Sequence, residues 1–283
     1  MKFTLGDRDM TFSNLLKGTA AAVLSVGLSV SAADARTFDL AFLMDSSGSI
    51  TAGNFSAAMG SLAAALTTHI TADILAQDTY NITVVTFSDG ASVVTSQAVT
   101  NLTELASVTS AITGASYTQG YTDFEAAFDA LLGHATALTA GANASIINMM
   151  TDGNPCLARN CPMDAAGLAD VASARDDLIT AGWDSLSFEA VTGNADSSYL
   201  AGLGFDAGGI GGLLETSNPN DIAGLNIVND AFVLSVDSFG QDFDTAIDIK
   251  VQAVVSPVPI PATLPLMAGG FALLGFAARR RKA

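Results

Sequence analysis

Residues 37–49 read TFDLAFLMDSSGS, and the fold turns on how this stretch is read. Phe38, Leu40, Ala41, Phe42, Leu43 and Met44 form an apolar run with no strict alternation. Such a run fits a strand buried on both faces, which needs helices above and below it and parallel neighbours beside it. It ends abruptly at Asp45, and Ser46-Ser47-Gly48-Ser49 follows. Asp45, Ser47 and Ser49 alternate, and Gly48 permits the bend that would aim their oxygens at one point. A helix is predicted from about Ala52, with Thr51 as its N-cap. Phe55, Met59, Leu62 and Leu66 recur at helical spacing along it.

Working outward, the same alternation of strand and helix continues, which predicts a doubly wound α/β sheet, mainly parallel. Residues 79–87 and 91–95 read as strands joined at the Asp89-Gly90 turn, so one edge strand should be antiparallel. Short and longer helices are predicted at 101–113 and 122–138, and a core strand at 144–150. A helix at 163–180, strands at 185–191 and 231–236, and a closing helix at 244–254 follow. Residues 192–228 are Gly- and Asn-rich and yield no assignment.

Sheets of this class bind ligands at the carboxyl ends of their strands. Three loops there carry oxygen ligands: Asp45-Ser46-Ser47-Gly48-Ser49, Gly120-Tyr121-Thr122 and Thr151-Asp152-Gly153. Two carboxylates and three hydroxyls, without nitrogen or sulfur, suit Mg²⁺, with Mn²⁺ and Ca²⁺ as competitors. Taken singly, each loop could be an Asp-initiated turn, an N-cap or a strand-ending turn. Together, in this order, they resemble the metal-ion-dependent adhesion site of von Willebrand factor type A (vWA) domains. The resemblance covers roughly residues 37–254 and implies a Rossmann-like single domain. It also implies that Ser47, Ser49 and Thr122 touch the ion directly while Asp45 and Asp152 act through water. A carboxylate of an acidic protein or polysaccharide partner would complete the coordination. The alternative is a structural surface or matrix component whose ion only stabilises the fold.

Features of the common enzyme classes are missing. The sequence has no G-x-S-x-G elbow, no HExxH and no phosphate-binding loop, and its two histidines, His69 and His134, do not follow predicted strands. A binding protein rather than an enzyme is expected. Charge narrows the partners further. The chain carries 11 basic and 28 acidic residues, net −17. Between Arg36 and Ser256 only Arg36, Arg159, Arg175 and Lys250 stand against 25 acids, a net of −21. Such a body repels nucleic acid and attracts divalent cations.

Both ends read as addresses. Residues 1–35, with Lys17, the apolar stretch Ala20–Val30 and Ala33-Asp34-Ala35, have the layout of a secretory signal peptide, with Met10 as a second candidate start. In an exported chain Cys156 and Cys161 should pair as a disulfide, since only two histidines are available to complete a zinc site. Residues 255–261 form a Pro-rich spacer, 262–278 an uncharged segment, and 279–283 a basic tail. The uncharged segment is read as a membrane-spanning helix with its tail in the cytoplasm. Val258-Pro259-Ile260-Pro261-Ala262 resembles the VPLPA type of exosortase-sorted signal, although Ile260 stands where the commoner form has glutamate. That resemblance implies a sorting enzyme as a second partner and an exported, cell-envelope or surface location; a permanent single-pass anchor is the alternative.

Overall fold

The computed structural model describes residues 36–135, 142–157, 160–192, 194–226 and 229–255. The predicted leader, the Pro-rich spacer from Ser256, the segment 262–278 and the basic tail lie outside them. Strand β1 (Arg36–Asp45) sits inside a nine-stranded sheet. It pairs in parallel with β2 (Asp78–Phe87) from Arg36↔Asp78 to Asp45↔Phe87. On its other side it pairs in parallel with β4 (Ala144–Thr151), from Phe38↔Ala144 to Met44↔Met150. Parallel neighbours on both sides explain why the run is apolar throughout. Leu40, Phe42 and Met44 enter one apolar cluster, and Ala41 and Leu43 enter the other.

Helices cover the two faces accordingly. Helix α1 (Ala52–His69) inserts Phe55, Met59, Leu62 and Leu66 into the first cluster. The short α2 (Ala72–Leu75) leads into β2. Helix α3 (Leu102–Thr113) adds Leu105, Val108 and Ile112 to the first cluster. Opposite them, α4 (Phe124–Ala135) contributes Phe124, Phe128 and Leu131, and α5 (Ala165–Ala181) contributes Val171 and Leu178. Each large side chain buried in this way contributes about 1.5–3 kcal/mol.

Beyond β4, the sheet continues in parallel through β5 (Ser185–Val191). The antiparallel edge on the other side is β3 (Ala91–Val99), four residues longer than predicted. The unassigned stretch holds real structure: α6 (Ser197–Leu203), β6 (Phe205–Asp206), β7 (Gly209–Ile210) and β8 (Leu214–Thr216). Strand β6 pairs antiparallel with Leu186 of β5 and with β7, so the expectation of a single antiparallel strand is corrected. Two-residue strands between glycines with positive φ at Gly209, Gly211 and Gly212 are too short to show a period. Strand β9 (Phe232–Val236) pairs in parallel with β5 and β8, and α7 (Gln241–Val255) closes the first face with Phe243, Ile247 and Val251.

The chain leaves β1 toward β2 and leaves β4 toward β5, in opposite directions from two adjacent strands. This switch point sets the loops after Asp45 and Thr151 side by side. Among the described residues no helix is long and apolar enough to cross a membrane.

Candidate metal centre

Asp45 is the last residue of β1 and is fully buried. Its Oδ1 accepts the Ser47 N–H at 2.7 Å, and its Oδ2 accepts the Thr151 hydroxyl at 2.7 Å. Both carboxylate oxygens are thus held by the chain itself, and the carboxylate joins the ends of β1 and β4. Ser47 and Ser49 lie with their hydroxyls 3.1 Å apart, and Ser49 donates to Asp152 Oδ1 at 2.6 Å. A serine that donates its proton to a carboxylate still has oxygen lone pairs to offer a cation. Asp45, Ser47, Ser49 and Asp152 therefore form one continuous hydrogen-bonded group.

Thr122 comes from the remaining loop, Gly120-Tyr121-Thr122, and is buried. Its backbone pairs with Cys156 in both directions, N–H to Cys156 carbonyl at 2.8 Å and Cys156 N–H to its carbonyl at 2.9 Å. Cys156 and Cys161 are joined in a disulfide, so the closed loop braces the segment carrying Thr122. The Thr122 hydroxyl faces Gly153, where a Cβ would sit 3.7 Å from Oγ1. Asp123, not Thr122, caps α4, accepting the Ala126 N–H at 3.0 Å. The hydroxyl of Thr122 is thereby spared that capping duty.

Among the described residues no group of three or more His, Cys, Asp or Glu side chains could hold an ion. The set at the switch point has two carboxylates and depends on hydroxyls for the rest. The family model for the von Willebrand factor type A domain matches residues 39–196, more than half of the chain. The chain belongs to the von Willebrand factor type A domain family. No curated protein sequence matches it. In structure it is similar to the pilus adhesin SpaC of Lactobacillus rhamnosus GG, with a TM-score of 0.50 and 11% identity over 78% of this chain. SpaC in its open conformation gives 0.51 and 12% over 78%. The chain spans 31% and 30% of the length of those two SpaC chains. It is also similar to proximal thread matrix protein 1 of the mussel byssus, in a structure with a zinc-occupied MIDAS motif. That match has a TM-score of 0.45 and 18% identity, covering 85% of this chain and 52% of that one. Identities this low concern the fold alone.

Several contacts that build this candidate site are not evident from the three loop motifs. Thr151 orients Asp45. Ser46 donates to the Phe87 carbonyl at 3.0 Å and meets Thr118 at 2.6 Å, while Thr118 also reaches Ser88 at 3.0 Å. The Tyr117 hydroxyl donates to the Ser47 carbonyl at 3.1 Å, and Gly48 N–H donates to the Gly120 carbonyl at 2.9 Å. Asp89 accepts the Tyr121 N–H at 2.7 Å. Gly120 has φ +124°, and a Cβ there would lie 2.7 Å from the Asp89 carboxylate carbon. The Asp89-Gly90 pair does turn the hairpin as its sequence suggests, but Asp89 also fastens the loop that carries Thr122.

Electrostatics favour a cation at this place. Burial pushes the Asp45 carboxyl up to about 7, against the hydrogen bonds from Ser47 and Thr151; the nearby Asp152 charge pushes the same way. Burial also raises Asp152, opposed by the Ser49 hydroxyl. Two buried acids in one hydrogen-bonded group ionise at a cost that a divalent cation would offset.

Proposed function

We propose that this vWA domain binds Mg²⁺, with Mn²⁺ and Ca²⁺ as competitors, and uses the ion to capture an acidic partner at a bacterial cell surface. The observation that carries the reading is the joining of two buried carboxylates, Asp45 and Asp152, at adjacent strand ends: Asp45 accepts the Ser47 N–H, and the Ser47 and Ser49 hydroxyls continue the link to Asp152. An all-oxygen set of this kind fits a hard cation. Ser47, Ser49 and Thr122 would hold the ion directly, with Asp45 and Asp152 acting through water. The bound ion would supply a Lewis-acidic point for a carboxylate of a protein or polysaccharide. Neutral hydroxyls in direct contact leave more of its charge to the incoming acid than carboxylates would. Binding rather than turnover is the proposed role, since both aspartates are committed to holding the site. Export through the 1–35 leader, attachment through 262–278 and handling of the tail by a sorting enzyme complete the proposal.

Mn²⁺ titration followed by electron paramagnetic resonance tests the ion, and a pull-down from surface extracts with and without EDTA tests the partner. One saturable Mn²⁺ site, lost in Asp152→Ala, together with EDTA-sensitive capture by a folded protein, is the expected outcome. If EDTA unfolds the domain, the ion is structural and the adhesive reading fails. Absence of saturable binding removes the ion altogether.

A further inference from the structure

Lys250, one of the four cations of the body, is buried deep in the first apolar cluster. It lies on α7 at 2% exposure, beside Glu189 of β5 at 0% and Asn148 of β4 at 1%. One carboxylate holds both nitrogens. Lys250 Nζ donates to Glu189 Oε1 at 3.1 Å, and Asn148 Nδ2 donates to Glu189 Oε2 at 2.5 Å. The Phe232 ring lies 4.7 Å from Nζ. Asn148 Oδ1 is buried without a hydrogen-bond partner, an uncommon state for an amide oxygen. Asn148 and Lys250 also line one small cavity of about 10 Å³, walled by Leu40, Phe42 and Ile146. That space suits a single molecule about the size of water.

An ion pair this deep gains little over apolar side chains of the same volume. An amine and a carboxamide held by the two oxygens of a single carboxylate, in a pocket walled by apolar side chains, have a chemical alternative to pairing. We propose that Lys250 and Asn148 become joined by an intramolecular amide bond, with Glu189 as the group that transfers the protons. Burial favours the reactive forms. It lowers Lys250 to about 8 and raises Glu189, with each residue's charge opposing the other's shift. Both shifts favour the neutral amine and the neutral acid over the ion pair.

In the reaction the Nζ lone pair attacks Asn148 Cγ, and the carbonyl electron pair moves onto Oδ1. The Glu189 carboxyl proton passes from Oε2 to Nδ2, and Oε1 takes a proton from Nζ, which restores the acid. The Oδ1 electron pair re-forms the carbonyl as the Cγ–Nδ2 bond breaks and ammonia leaves. One Nζ–Cγ bond replaces one Cγ–Nδ2 bond, and no oxidant or reductant is needed. The reaction is slow in solution, and holding the three groups together here supplies the proximity it lacks there. The product would tie α7 to the centre of the sheet by a link that thiols cannot reduce.

Peptide mapping of the full chain as isolated, with an Asp-specific protease, tests this. Asn148 lies in the fragment from Asp129 to Thr151, and Lys250 in the fragment that starts at Asp248. The expected result is one joined species, lighter than the two fragments together by one ammonia, absent from Lys250→Arg and from Glu189→Gln. Two separate fragments of unaltered mass from the wild type would overturn the proposal. So would ammonia loss confined to the Asn148 fragment, which marks a succinimide instead. Because the wild-type map decides the question alone, poor folding of either variant does not protect the proposal.

Discussion

Replacing Asp45 with Asn separates the charge at the site from its shape. Asn keeps an acceptor for the Ser47 N–H, and the Thr151 hydroxyl can turn to accept from the new amide in place of donating. What disappears is a buried carboxylate whose pKa stands at about 7 against an ordinary 3.8. A gap of that size corresponds to roughly 4 kcal/mol, to order of magnitude. The sign follows from proton counting. Between the two values the folded protein retains a proton that the unfolded chain has released, so this contribution is fully present below about pH 4 and is lost as pH rises through about 7. Asp152 is shifted the same way but is present in both proteins, so the difference between them isolates Asp45. Urea unfolding in EDTA from pH 4 to pH 8 should show the wild type losing stability that Asp45→Asn retains. The variant should be the more stable of the two at pH 8, by up to about 4 kcal/mol. Adding Mg²⁺ at pH 8 should raise the wild-type midpoint and leave that of the variant unchanged. Parallel stability curves for the two proteins in EDTA would refute the reasoning, because the cost of the buried charge would then be absent.

Other perturbations probe the surrounding loops. Thr122→Ala should weaken Mn²⁺ binding by about tenfold or more, near 1.4 kcal/mol, while Thr122→Ser retains it; equal affinities by calorimetry would remove this hydroxyl from the ion. Gly120→Ala should destabilise the domain by about 1–3 kcal/mol, since φ +124° and the nearby Asp89 carboxylate both oppose a Cβ. An unchanged urea midpoint would show that Asp89 can move aside freely. Reducing the Cys156–Cys161 bridge should cost roughly 2 kcal/mol and lower Mn²⁺ affinity through the Thr122–Cys156 pairing. Undiminished affinity after reduction would mean that the bridge does not brace the site.

The unbroken apolar character of residues 40–44 is enough to read β1 as central, because burial on two faces leaves no room for polar alternation. The hydroxyls and acids of DSSGS and TDG were equally legible, since each follows directly on such a strand. The tiny strands between Phe205 and Ile210 were not, as their glycines carry no periodic signal. The bond from Thr151 to Asp45, and the parts played by Thr118 and Tyr117, are not legible for a different reason. Their roles depend on which loops lie side by side, and that is a property of sheet order rather than of local pattern. The grouping of Asn148, Glu189 and Lys250 leaves a faint trace in Asn148 and Glu189, the largest polar residues inside the mainly apolar stretches ASIINMM and SLSFEAV. Only the register of β4 on β5 and the packing of α7 bring the three together.

Diffraction from crystals soaked in Mn²⁺, recorded at a wavelength where manganese scatters anomalously, addresses the metal centre most directly. A single strong peak within bonding distance of the Ser47, Ser49 and Thr122 hydroxyls, with Asp45 and Asp152 joined to it through water, is the predicted result. A map with no peak between those hydroxyls, or with manganese bound only at other acidic surfaces of the domain, would contradict it.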